Sequence, residues 1–74
     1  MSRLRKRSLT IAGHSTSVSL EDEFWQALKD LAVTENLSIN ALIERIDETR
    51  DGNLSSAVRV YVLQQALAGP NNAT

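Results

Sequence analysis

The sequence predicts a mainly α fold with one ribbon strand, ordered β-α-α-α and completed as an intertwined homodimer around an intermolecular two-stranded antiparallel ribbon. Three observations predict it. One short segment alternates with period two, three later segments repeat apolar residues at helical spacing, and the chain is too small to be comfortable alone. A chain of 74 residues buries a smaller share of its surface than a larger domain does, so a staple is expected. The chain has no cysteine and a single histidine, His14. Disulfides and thiolate or imidazole metal clusters are therefore excluded, and self-association is the remaining staple.

The strand comes first. In Ser15-Thr16-Ser17-Val18-Ser19-Leu20, Thr16, Val18 and Leu20 fall on one face and Ser15, Ser17 and Ser19 on the other. Leu9-Thr10-Ile11 suggests a short extra strand, broken at Gly13. Ser19 with Asp22 three residues on reads as a capping box opening the first helix. Phe24, Ala27, Leu28 and Leu31 carry that helix to about Glu35. Asn36-Leu37-Ser38 is a tight turn, with Asn36 suited to the left-handed conformation and Ser38 to a cap. Ile39, Leu42, Ile43 and Ile46 form the stripe of the second helix, and Asp51-Gly52-Asn53 stops it. Leu54, Val58, Tyr61, Val62, Leu63 and Leu67 mark a third helix from about Leu54 to Ala68, ended by Gly69-Pro70.

A lone strand needs a partner for its backbone groups. The economical one is the same strand of a second copy, in a two-fold dimer. Val18, Leu20, Phe24, Leu28, Leu42, Ile43 and Ile46 are the expected dimer core. The division is a basic arm over 1–14 with room for a short extra strand, a ribbon strand and three helices over 15–68, and a disordered tail over 69–74.

Charge is unevenly placed. Net charge is −1. Residues 1–20 hold Arg3, Arg5, Lys6 and Arg7 and no acid, while the remainder holds four basic residues against nine acids. A basic end on an acidic body suits contact with a polyanion. A solvated tail has the same composition, and so has a transit peptide, although the latter has no need of the 15–20 alternation. No apolar run approaches the roughly 18 residues of a membrane span. His14 and Ser15 are strand neighbours that point to opposite faces, so they do not form a nucleophile and base. Trp25 reads as a core or contact residue. Glu44, Asp47, Glu48 and Asp51, interleaved with Arg45 and Arg50, read as a solvated face. The chain holds no phosphate loop and no metal-ligand spacing. It is expected to be no enzyme and to need no cofactor.

The order of ribbon strand, helix, Asn-Leu-Ser turn and second helix resembles the ribbon-helix-helix DNA-binding family, the MetJ and Arc repressor group. Thr16-Ser17-Val18-Ser19-Leu20-Glu21-Asp22-Glu23-Phe24-Trp25 and Asn36-Leu37-Ser38-Ile39-Asn40-Ala41-Leu42-Ile43 carry the resemblance. Lys6 to His14 and Gly52 to Val60 are similar to an extended bacterial subgroup with an N-terminal arm and a third helix. The resemblance implies a homodimer with its ribbon in the DNA major groove. It would place Ser15, Ser17 and Ser19 toward base edges, and Ser38, Ile39 and Asn40 at a phosphate. Arg3, Arg5, Lys6 and Arg7 would add phosphate contacts. Double-stranded DNA and a second copy are the expected partners, in the cytoplasm at the nucleoid, in the role of a transcriptional regulator or repressor. Serines pair with several bases, so they discriminate little. The alternative is a dimerisation or protein-interaction module, antitoxin-like or adaptor, with the third helix as its contact surface.

Overall fold

The computed structural model describes residues 3–68, so the expected tail over 69–74 lies outside the described residues. Two strands, β1 (Leu4–Ile11) and β2 (His14–Glu21), are followed by α1 (Asp22–Thr34), α2 (Ile39–Thr49) and α3 (Leu54–Ala68). The order is β-β-α-α-α.

The ribbon lies within one chain. β1 pairs with β2 antiparallel along its whole length, from Leu4 opposite Glu21 to Ile11 opposite His14. The two-residue link Ala12-Gly13 has positive φ at both positions, 51° and 84°, the backbone whose twist suits a tight hairpin. The basic arm is thus largely a strand. Its alternation is hidden in the sequence because Arg5 and Arg7 stand where apolar residues are expected. Their stems can cover apolar surface while their charged heads reach outward. Glycine supplies the second turn position freely, but Ala12 has a Cβ in a left-handed conformation. Ala12→Asn is therefore expected to stabilise the fold by about 1 kcal/mol, or about 4–8 °C in melting temperature for a domain this small. A lowered melting temperature by circular dichroism would contradict this account of the turn.

Helix boundaries follow local chemistry, with one correction. α1 ends in a Schellman arrangement: Asn36 sits at φ 61°, its N–H donates to the Val33 carbonyl, and the Leu37 N–H donates to that of Ala32. Ser38 caps α2 by accepting from the Ala41 N–H at 3.0 Å. Asn53 does the same for α3, accepting from the Ser56 N–H at 2.9 Å. The expected cap at Ser19 does not form. β2 continues through Glu21, and α1 starts at Asp22 without a side-chain cap. The strand persists because α3 claims the Ser19 backbone, and because Leu20 has to reach the core.

All three helices pack on one side of the ribbon. Ile11, Val18 and Leu20 meet Leu28 and Ala32 of α1, Leu42, Ile43 and Ile46 of α2, and Leu54, Val58 and Val62 of α3 in one cluster. Of the expected dimer-core residues, Val18, Leu20, Leu28, Leu42, Ile43 and Ile46 are buried within the single chain. Phe24 is half-buried against them. β1 covers what a second copy was expected to cover, so this burial is complete in one protomer.

Candidate nucleic-acid interface

Strand register sorts the side chains of the ribbon into two faces. Arg5 stands opposite Leu20, Arg7 opposite Val18 and Leu9 opposite Thr16. These pairs share the side that packs on the helices. Lys6 stands opposite Ser19, Ser8 opposite Ser17 and Thr10 opposite Ser15. These six look away from the helices, as does the end pair of Leu4 and Glu21. The three serines fall together on the outer face, as their alternation implies. Lys6, Ser8 and Thr10 join them there. Sequence reasoning misses Ser8 and Thr10 and places Lys6 in the basic arm. The signal is present, since Lys6, Ser8 and Thr10 alternate with Arg7, Leu9 and Ile11.

The helices secure the edges of this ribbon. On the β2 edge, the Ser19 N–H donates to Ser55 Oγ at 2.9 Å, and Arg59 Nη2 donates to the Ser19 carbonyl at 3.1 Å. One turn of α3 thereby replaces a neighbouring strand at Ser19. Arg59 also bonds Glu21 Oε1 through Nε at 3.1 Å and lies 6.0 Å from the centroid of the Phe24 ring. On the β1 edge, Asn40 Nδ2 donates to the Thr10 carbonyl at 3.4 Å. The start of α2 is thus beside the turn end of the ribbon. An open groove lined by Ser8, Leu9, Thr10, Ser15, Thr16 and Asn40 runs between them. Of Ser38, Ile39 and Asn40, only Asn40 is brought to the ribbon, where it holds β1; Ser38 caps α2 and Ile39 packs against the core.

The four arm cations do not share one face. Arg5 Nε lies 3.1 Å from Asp22 Oδ1, and Arg7 Nη2 lies 3.7 Å from the same oxygen. Arg7 also stacks over Trp25, 4.3 Å from the ring centroid, which gives Trp25 its role as a partly buried platform. Lys6 alone projects from the outer face. Arg3 is exposed ahead of β1. Arg50 pairs with Asp47 at 2.6 Å and Arg45 with Glu35 at 3.3 Å. Among the described residues no cluster of His, Asp or Glu could hold a metal ion. No described helix is long and apolar enough to cross a membrane.

Glu21 links the ribbon to α3 and titrates accordingly. A hydrogen bond from its own backbone N–H, aided by one from Arg59, holds its carboxyl below the ordinary range. Both bonds favour the charged form. A carboxyl lowered in the folded state stabilises the protein above its unfolded pKa, and this contribution is lost as pH falls through the folded pKa. Glu21→Gln is expected to be less stable than the wild type at neutral pH and to close the gap in acid. Urea midpoints that differ by the same amount at every pH would contradict the linkage.

Comparison with known proteins agrees with this geometry. The chain is similar to an uncharacterized protein from Bordetella pertussis Tohama I whose structure is solved, at 30% identity and a TM-score of 0.76. The match covers 89% of this chain and 58% of that one, so the chain spans little more than half of the relative's length. No curated protein matches it. The model of the ribbon-helix-helix domain, a DNA-binding or regulatory fold, matches residues 4–66. With a two-stranded ribbon running into a helix-turn-helix pair over that same stretch, the chain belongs to the ribbon-helix-helix family.

Proposed function

We propose that this protein is a small DNA-binding homodimer, a non-enzymatic transcriptional regulator acting in the cytoplasm at the nucleoid, that lays the outer face of its ribbon in the major groove. The observation that carries the reading is that face itself. Lys6, Ser8, Thr10, Ser15, Ser17 and Ser19 give a strip of one cation and five short hydroxyls, and the one acid that shares this face of the ribbon, Glu21 at its far end, is paired with Arg59. A two-stranded ribbon fits the major groove, and hydroxyls there both donate and accept. Such a face favours DNA over other partners but selects weakly among sequences.

The second copy has a place to add. Ser19 directs its backbone groups away from β1, so Ser17 and Ser15, at alternate positions, direct theirs to the same edge. Ser19 is occupied by Ser55 and Arg59, which leaves Ser15 and Ser17 to pair across a two-fold axis. Fluorescence anisotropy of a labelled random-sequence duplex across a salt series is the test. Affinity is expected to fall with salt, and Lys6→Ala to flatten the slope by about 0.9 for each phosphate that Lys6 neutralises. Affinity independent of salt would overturn the reading.

A protein-interaction role is the second reading, favoured by α3. Val60, Leu63 and Leu67 are exposed on it, and no charged residue occurs from Val60 to Ala68. Leu63→Lys with Leu67→Lys distinguishes the two. Cellular function abolished while duplex binding persists would favour this reading.

A further inference from the structure

We propose that Arg5, Arg7 and the first turn of α1 form an oxyanion site that Asp22 fills in the free protein and that takes a phosphate group in its place; on the DNA-binding reading above, on which this role rests, the phosphate is one of the duplex backbone. Two guanidinium groups converge on a single oxygen, Asp22 Oδ1, at 3.1 and 3.7 Å. Each guanidinium carries five N–H donors in a fixed fork, so one carboxylate oxygen serves the pair poorly. The shortfall is visible at Arg7: its Nε is enclosed and has no hydrogen-bond partner, and its approach to Asp22 is the longer of the two. A phosphodiester brings two unesterified oxygens, enough to give each guanidinium its own acceptor.

The surroundings suit an anion. Asp22 is the first residue of α1, and Glu21, which precedes it, does not cap the helix, being held by Arg59 instead. The positive end of the α1 dipole favours negative charge, and the turn already carries Asp22 and Glu23. The ring of Trp25 fixes the plane of Arg7, so a ligand does not have to order that long side chain first. The side chains of Arg5 and Asp22 are 58% and 48% exposed, so an incoming phosphate can reach the one and displace the other. Lys6, between the two arginines in sequence, draws a polyanion to this end of the ribbon from the outer face. Asp22 is thus an internal competitor that sets how tightly the arm holds DNA.

The test compares the wild type, Asp22→Asn, Arg5→Ala/Arg7→Ala and the triple variant, with melting curves on each and Asp22→Ser as a second neutral replacement. Each is titrated with a random-sequence duplex across a salt series. Each is also titrated with inorganic phosphate at constant ionic strength, read from the arginine Nε–H resonances. Asp22→Asn is expected to bind the duplex about fivefold tighter, with a slope steeper by up to about 0.9 per phosphate newly neutralised. The triple variant should lack that gain. No gain, or a gain that survives removal of both arginines, would overturn the site while leaving the DNA-binding reading in place. If no variant binds duplex but Asp22→Asn takes free phosphate through Arg5 and Arg7, the site stands as an anion site and the DNA-binding reading falls.

Discussion

Val18→Asp is expected to abolish the folded state. Val18 is completely buried in the middle of β2, among Leu28, Leu42, Ile43 and Val58 of the core cluster. A carboxylate there is enclosed by apolar side chains, and its one cationic neighbour, Arg7 across the ribbon, is already engaged with Trp25 and Asp22; burying such a charge costs several kcal/mol. A domain of this size has a total stability of similar magnitude. The far-ultraviolet circular dichroism of the variant should therefore be that of an unfolded chain even at low temperature. Because the core closes within one protomer, the loss should not depend on protein concentration. A variant refolded merely by concentrating it would show that Val18 acts in a seam between copies. A stable, helical variant at low concentration would show that the packing is wrong.

Ser17→Glu separates function from fold. Ser17 lies at the centre of the outer face, opposite Ser8, and its side chain points away from the core. A glutamate there leaves the packing intact, and melting temperature should change little. It places a negative charge where a duplex would lie, once per chain and twice per dimer. Duplex affinity should fall by at least about tenfold at low salt, since a like charge in an interface costs on the order of several kcal/mol. Undiminished binding with an unchanged melting curve would remove the ribbon from the interface. The duplex would then have to lie against the helices.

Much of this architecture is legible in the residues themselves. The alternation of Thr16, Val18 and Leu20 identifies the buried face of β2, and the serines between them identify the outer one. Asn36 and Ser38 mark the joint between α1 and α2, because a left-handed residue and a hydroxyl cap are local requirements with few chemical solutions. The stripes of Leu28 and Leu42-Ile43-Ile46 give the core residues directly. The start of α1 is less legible. Ser19 and Asp22 have the right spacing for a cap, but spacing does not reveal that Ser55 and Arg59, far along the chain, take the Ser19 backbone.

The local decisions are written in the residues: three helices, a ribbon strand with one greasy and one hydroxylic face, and a basic stretch ahead of it. Packing in three dimensions settles the rest. It makes the basic stretch the second half of the ribbon, and it divides the cations between an outer face that carries Lys6 and an inner one where Arg5 and Arg7 are tied to Asp22 and Trp25. The reason is physical. A strand's alternation is readable only when its inward residues are apolar, and arginines that lie over an aromatic ring and against a helix occupy inward positions while still spelling a charged tail.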